Sequence, residues 1–82
     1  MFKNKNNTSN NLCGKKIKEL RKQIIPRMSQ RALADRLQLI GVDLDKNAIQ
    51  RIESGQRFVT DIELAAFSKV FNISPTELLG MD

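Results

Sequence analysis

The sequence has no histidine, tryptophan or tyrosine, and Cys13 is the single cysteine among its 82 residues. A lone cysteine cannot form an intramolecular disulfide, and one cysteine without histidine excludes a structural zinc site of nitrogen and sulfur ligands. General acid–base catalysis by histidine is excluded as well, and no other pattern of residues indicates an enzyme. We therefore expect a protein without catalytic residues, metal or cofactor.

Long apolar runs and aromatic side chains are also scarce. No apolar segment approaches the roughly 20 residues of a membrane span, and the polar, Asn-rich N-terminus is unlike a signal peptide. The four aromatic residues are all Phe, which is few for the stacking platforms that bind single-stranded nucleic acid. A free thiol without a targeting segment is typical of the cytoplasm, where we expect the protein.

The positive charge is concentrated in the first third of the chain. Residues 1–31 carry nine Lys or Arg and one Glu, whereas residues 32–82 carry five Lys or Arg and eight acidic residues, so the whole chain has a net charge of +5. A basic segment favours a polyanionic partner such as nucleic acid. Solvated lysine-rich helix faces and tails explain the same charge equally well.

Turn residues, helix caps and apolar spacing predict an all-α chain of five short helices without strands. The helices should span residues 14–25, 30–40, 46–54, 61–71 and 75–79, with a break at Pro26 after the first. The predicted N-caps are Ser29, Asp45, Thr60 and Ser74, and the last two begin capping boxes that end at Glu63 and Glu77. We expect residues 1–12 to be a flexible polar tail and residues 13–82 to form one compact five-helix domain.

Helices this short are stable only if their apolar stripes share one small core. The predicted core consists of Ile17, Leu20, Leu33, Leu37, Ile49, Ile52, Leu64, Phe67, Val70, Ile73 and Leu78. Ile40 should line the inner face of the second helix with Leu33 and Leu37, whereas Leu39 should point away from it. Cys13 is expected to be an inert residue at the boundary of the tail, because a redox sensor needs a depressed thiol pKa.

The third helix has a polar face that is suited to reading base pairs. Ile49 and Ile52 mark its buried side. At about 100° per residue, four polar residues fall on the opposite side, namely Asn47, Gln50, Arg51 and Ser54. Arginine binds guanine through two hydrogen bonds in the major groove, and Asn or Gln binds adenine in the same way. An ordinary solvated helix face has the same composition, so this helix alone does not decide the function.

Two segments beside this helix are suited to DNA phosphates. The second helix begins at Ser29-Gln30-Arg31, where unsatisfied N–H groups and the positive end of the helix dipole attract an anion. Gln30 is able to donate to that phosphate or to brace a side chain on the third helix. Residues 55–60 offer backbone N–H groups and Arg57 as a second phosphate site. Two phosphate-binding segments that flank a polar helix face are the arrangement of a helix-turn-helix module.

The chain resembles the Cro/C1-type (phage repressor-like, XRE-type) helix-turn-helix family over residues 14–80. The matching segments are IKELR at 17–21, SQRALADRL at 29–37, AIQRIESGQR at 48–57, LAAFSKVF at 64–71 and ISPTELL at 73–79. The resemblance implies a lambda-repressor-like fold and a bacterial or phage-encoded transcription regulator at the nucleoid, most often a repressor. It also implies sequence-specific binding of double-stranded DNA by a homodimer on a near-palindromic operator.

The resemblance also implies roles for individual residues. Gln30 corresponds to a phosphate-contacting residue of the family, and Arg57 lies in its phosphate-contacting loop. The variable base-reading positions correspond to Lys46, Asn47, Gln50 and Arg51. With the residues proposed above, the expected DNA-binding set is Gln30, Arg31, Lys46, Asn47, Gln50, Arg51, Ser54 and Arg57. The family places a structural salt bridge at the positions of Arg21 and Glu53, so Glu53 is not expected to contact DNA.

One feature departs from the family pattern. The family usually joins the second and third helices by a turn of about three or four residues, whereas residues 38–44 lengthen the helix or the turn here. We expect Val42 and Leu44 to tuck beneath this connection. The insertion leaves the docking angle of the third helix open.

Two other interpretations stand beside DNA binding. The chain would serve as a helical protein-interaction module if it were an antitoxin-like partner or a relative that has lost DNA binding. The first helix would lie on a membrane surface if its amphipathic face bound lipid. The polar face of the third helix favours DNA binding, because an interaction module has no need to retain it.

Overall fold

Among the residues that the structure describes there are five helices, and four of them begin at a side chain that caps the first turn. The computed structural model describes residues 9–24 and 27–81. Its helices are α1 (Gly14–Gln23), α2 (Gln30–Leu39), α3 (Lys46–Glu53), α4 (Asp61–Phe71) and α5 (Pro75–Leu78). The predicted N-caps Ser29, Asp45, Thr60 and Ser74 each accept a hydrogen bond from the backbone N–H three residues later. These caps explain why each helix starts where it does, since they satisfy amides that have no partner within the helix.

The all-α prediction is confirmed, with corrections at helix ends. Helix α1 ends at Gln23 because Ile24 is already extended, and Pro26 lies outside the described residues. Helices α2, α3 and α5 each end one residue before the predicted position. The Glu63 side chain completes the capping box of α4, whereas only the serine half of the predicted box is present at Ser74. Within the described ranges, no helix has the length and apolar composition that a membrane crossing requires.

The core lies between all five helices. The α3 helix packs against α1 and α2, and α4 packs against α2 and α5. The buried apolar residues are Cys13, Ile17, Met28, Leu33, Leu37, Leu44, Ala48, Ile49, Ile52, Ala66, Phe67 and Leu78. Four residues predicted for the core are only partly buried against it, namely Leu20, Leu64, Val70 and Ile73. The buried residues that were not predicted for the core lie outside the helices or are alanines. A stripe of large apolar residues in the sequence reveals neither kind.

The long connection between α2 and α3 starts with a tight helix ending. Gly41 has a φ of +89°, and the N–H groups of Gly41 and Val42 donate to Gln38 O and Leu37 O at 3.0 Å, which is a Schellman ending. Leu44 is buried and Val42 is half-buried, as expected, so the connection is held by apolar contacts. Leu39 is 83% exposed as predicted, but Ile40 is 46% exposed in the turn, so its predicted place on the inner face was wrong.

The last residues of the predicted tail contact the folded domain. The Asn10 N–H donates to Gly55 O at 2.7 Å, and the Asn11 amide donates to Ile52 O at 3.0 Å and Arg57 O at 2.8 Å. Residues 9–12 are therefore held against the end of α3, which differs from the expectation of a tail through residue 12. Residues 1–8 lie outside the described part of the chain.

Cys13 belongs to the core rather than to a boundary. Its side chain is 1% exposed, and burial raises the pKa of the thiol to about 11 from 9.0. A neutral, enclosed thiol is a poor nucleophile and a poor redox sensor. The expectation of an inert cysteine agrees with this environment.

Candidate nucleic-acid interface

The exposed face of α3 is polar along its whole length. Its buried side consists of Ala48, Ile49 and Ile52. The side chains on the other side are all exposed, namely Lys46, Asn47, Gln50, Arg51 and Ser54. Asp45 caps the helix by accepting from the Ala48 N–H at 2.8 Å, which places Lys46 at the first helical position. The surface thus carries ammonium, amide, guanidinium and hydroxyl groups side by side.

Gln56 joins this face, although sequence analysis did not include it. The chain turns back after α3 because Gly55 adopts a φ of +83°, and the Gln56 N–H returns to Arg51 O at 2.8 Å. An open depression is consequently lined by Asn47, Gln50, Arg51, Ser54 and Gln56. The signal that could have found Gln56 is the glycine after the helix, since a Schellman ending brings the second residue after the C-cap beside the last turn.

Ser54 is exposed, but its hydroxyl has a partner in the protein. Its Oγ donates to Arg51 O at 3.2 Å. The hydroxyl oxygen still has lone pairs that accept a hydrogen bond from a ligand. Ser54 is therefore suited to act as an acceptor within the depression.

Arg21 and Glu53 form the salt bridge that the family resemblance implied. Arg21 Nε and Nη2 donate to the two Glu53 oxygens at 2.8 and 2.9 Å, and Arg21 Nη1 donates to Met28 O at 3.0 Å. Their side chains are only 9% and 3% exposed. Glu53 therefore points into the protein, and its charge is neutralised there rather than presented at the polar face of α3.

Gln30 adopts the bracing role, one of the two that sequence analysis left open. Its Nε2 donates to Glu53 Oε1 at 3.0 Å, which links the first residue of α2 to the last residue of α3. Because a carboxylate only accepts hydrogen bonds, this contact fixes which end of the Gln30 amide faces Glu53. The other N–H of the Gln30 side-chain amide is not used in the hydrogen bond to Glu53.

Arg57 does not present an unpaired guanidinium to the surface. Its Nη1 and Nη2 donate to Glu63 Oε1 and Oε2 at 2.9 and 3.1 Å, and Nη1 also donates to Phe58 O at 3.1 Å. Burial raises the pKa of the Glu63 carboxyl, but the hydrogen bonds from Arg57 and the Thr60 N–H outweigh burial and hold the pKa below its ordinary value. Arg57 thus ties the loop after α3 to the start of α4.

The expected backbone phosphate site in this loop is also occupied by internal bonds. The Gly55 N–H donates to Ile52 O at 3.0 Å, and the N–H groups of Gln56 and Arg57 donate to Arg51 O at 2.8 and 3.3 Å. These three amides complete the end of α3, so they do not point at a phosphate. Of the predicted phosphate site at residues 55–60, these three amides are thus already used inside the protein, because the carbonyls at the helix end accept from the nearest donors.

Arg31 lies on the rim of a second, shallow groove between α2 and the connection to α3. The groove also contains Asp35, Asp43, Asp45 and Lys46. Arg31 and Lys46 are exposed cations at the starts of α2 and α3, and within this groove three carboxylates face the two positive charges.

The comparisons agree with this arrangement. The family model described as helix-turn-helix (HTH_3) matches residues 17–78, which cover most of the described chain. Comparison with curated proteins and comparison with solved structures gave no significant match. The match to the family model spans α1 to α5, including the α2–α3 pair and the polar face of α3. The chain therefore belongs to the Cro/C1-type (XRE) helix-turn-helix family of DNA-binding regulators.

Proposed function

We propose that this protein is a transcriptional repressor that reads a specific double-stranded DNA sequence by placing α3 in the major groove. The observation that carries the proposal is the polar face of α3, exposed opposite the buried Ile49 and Ile52. Asn47, Gln50 and Arg51 are the base-reading residues, because their amide and guanidinium groups match the donor and acceptor patterns of adenine and guanine. Ser54 and Gln56 complete the contact area at the end of the helix.

Phosphate contacts fix the orientation of α3 in the groove. Arg31 and Lys46 supply positive charge at the starts of α2 and α3, and the N-terminal end of α2 adds its dipole. Gln30, held by Glu53, has a second N–H that donates to a phosphate. Arg57 was expected among the phosphate contacts, but its pairing with Glu63 supports a role in bracing the loop instead.

The basic N-terminal third supplies affinity rather than sequence preference. Residues 45–57 carry three basic and two acidic side chains, whereas residues 1–31 carry nine basic residues and one acid. Charges outside the base-reading face attract the phosphate backbone of any duplex and release counterions. Sequence choice and general attraction thus belong to different parts of the chain.

Repression follows from occupancy of an operator by two copies of the chain. A homodimer presents two α3 helices to successive major grooves about 34 Å apart, which requires a near-palindromic site. Bound in this way, the dimer blocks access of polymerase to a promoter. This role places the protein with the nucleoid in the cytoplasm.

The test begins with selection of a duplex from a randomised pool by the wild-type protein, followed by fluorescence anisotropy on the selected and a scrambled duplex. Arg51→Ala should weaken binding to the selected duplex by about 1–3 kcal/mol and relax preference at one base pair. Arg36→Ala, which removes an exposed arginine near the end of α2, is the charge-matched control and should preserve base preference. Binding to no duplex at low salt would refute the proposal.

A helical protein-interaction module is the second candidate. The observation that favours it is the apolar side chain of Leu39, 83% exposed beside the 46% exposed Ile40 at the end of α2. Contiguous exposed apolar patches mark contact surfaces, and Leu39 and Ile40 are adjacent in the chain. The same anisotropy experiment separates the candidates, because a module of this kind would show no preference for a selected duplex over a scrambled one.

A further inference from the structure

The Asn11 side chain joins the start of α1 to the end of α3. Its Nδ2 donates to Ile52 O at 3.0 Å and to Arg57 O at 2.8 Å, and its Oδ1 accepts from the Gly14 N–H at 2.7 Å. Both amide N–H groups and the amide oxygen are therefore engaged. Because two of its partners are carbonyls and one is an N–H, the orientation of the amide is fixed.

These contacts enclose the turn that leaves α3. Ile52 belongs to the last turn of α3 and Arg57 lies five residues later, so one side chain holds both ends of the turn. Asn10 holds the residues between them, since its N–H donates to Gly55 O at 2.7 Å and its Nδ2 to Gln56 O at 2.9 Å. Two neighbouring asparagines thus supply donors to four carbonyl groups, one in the last turn of α3 and three in the turn that follows it.

The start of α1 approaches α3 closely at Gly14, beside the hydrogen bonds of Asn11. A Cβ on Gly14 would lie 2.0 Å from Ile52 O and 2.8 Å from Asn11 Oδ1, so only glycine fits at the start of α1. The Ile52 carbonyl consequently meets the Asn11 amide on one side and the α1 backbone on another. Movement of Asn11 would shift the end of α3 relative to the rest of the core.

We propose that Asn11 is a positioning residue for DNA binding, and this inference rests on the proposed function. Ser54 and Gln56 lie in the enclosed turn and line the same depression as Asn47, Gln50 and Arg51 of α3. By holding the turn against Ile52, Asn11 sets Ser54 and Gln56 beside the base-reading residues. The segment before α1 therefore takes part in sequence recognition although Asn11 is not among the residues that line the depression.

The test compares two substitutions at this position with a control elsewhere. Asn11→Ala removes all three hydrogen bonds, and Asn11→Asp keeps the shape but puts one carboxylate oxygen, in place of Nδ2, against the carbonyls of Ile52 and Arg57. Val70→Ala is the control, because Val70 packs against the core from α4 and its truncation lowers stability without touching the turn. Binding to the selected and scrambled duplexes is measured well below each melting temperature (Tm), with the folded fraction checked by circular dichroism.

We expect Asn11→Ala to weaken binding to the selected duplex by about fivefold or more, the fold-change of one neutral hydrogen bond, and Asn11→Asp to weaken it further. Binding to the scrambled duplex should change by less than about twofold, since phosphate attraction does not depend on the turn. Amides of residues 54–57 should exchange with solvent faster in both variants. Val70→Ala should lower Tm and leave both affinities unchanged.

The possible outcomes separate the inference from the proposed function. If the Asn11 variants lower Tm as Val70→Ala does and retain the wild-type preference for the selected duplex, Asn11 is only structural and the inference is overturned. Should Asn11→Asp fail to fold, Asn11→Ala decides by the same criterion. If the wild-type chain binds no duplex, the proposed function fails and the inference fails with it.

Discussion

The buried ion pair between Arg21 and Glu53 leads to a quantitative prediction about stability. Arg21→Met removes three hydrogen-bond donors and leaves the Glu53 carboxylate 3% exposed with Gln30 as its remaining side-chain donor. An isolated buried charge of this kind costs about 3–5 kcal/mol. A chain of 82 residues has a total stability of about 4–12 kcal/mol, so the variant should lose a large fraction of it.

The assay is urea and thermal unfolding at neutral pH, followed by circular dichroism. Each kcal/mol lowers Tm by about 4–8 °C in a domain of this size, so Arg21→Met should lower Tm by more than about 10 °C. The double variant Arg21→Met/Glu53→Leu should regain most of the loss, because an apolar pair of similar volume replaces the ion pair without leaving a buried charge.

The second arginine–glutamate pair of the chain is a matched control. Arg57 and Glu63 have the same chemistry and similar distances, but Arg57 is 33% exposed and Glu63 is 13% exposed. Arg57→Met should therefore cost about 1 kcal/mol, as exposed pairs do. A loss below about 1 kcal/mol for Arg21→Met, or equal losses for Arg21→Met and Arg57→Met, would refute the argument that burial makes the first pair costly to break.

Three further predictions follow from other contacts. Gly14→Ala should lower the free energy of unfolding by about 2 kcal/mol or more in urea melts, because its Cβ would lie 2.0 Å from Ile52 O; a neutral effect would contradict this close approach. The folded-state pKa of Glu63 is below its ordinary value of 4.5, so its pairing stabilises the fold above about pH 4.5 and this contribution is lost as pH falls through the lowered pKa. The stability difference between wild type and Glu63→Gln should accordingly be present at neutral pH and vanish in acid, and a difference that grows on acidification would contradict the sign. Cys13, with a pKa of about 11 and 1% exposure, should react with a disulfide reagent at pH 8 only after unfolding by urea, whereas immediate reaction of the native protein would show that it is accessible.

The sequence by itself determined the helix starts and the polar face of α3. Caps such as Asp45 and Thr60 act on amides three residues later, and the opposite placement of Ile49 and Arg51 follows from the helical repeat. Such effects involve neighbours along the chain, so a pattern of a few residues is sufficient. The Arg21–Glu53 pair was anticipated through family resemblance, which carries information about distant positions.

Only the tertiary structure decided which partners the polar side chains found. Arg57 was expected at a phosphate but lies against Glu63, Gln30 braces Glu53, and Asn11 of the predicted tail holds carbonyl groups more than 40 residues away. No local pattern encodes these choices, because a polar group pairs with whatever donor or acceptor the packed helices bring within about 3 Å. The burial of Cys13 likewise depends on tertiary structure, because it results from the packing of α1 against its neighbours.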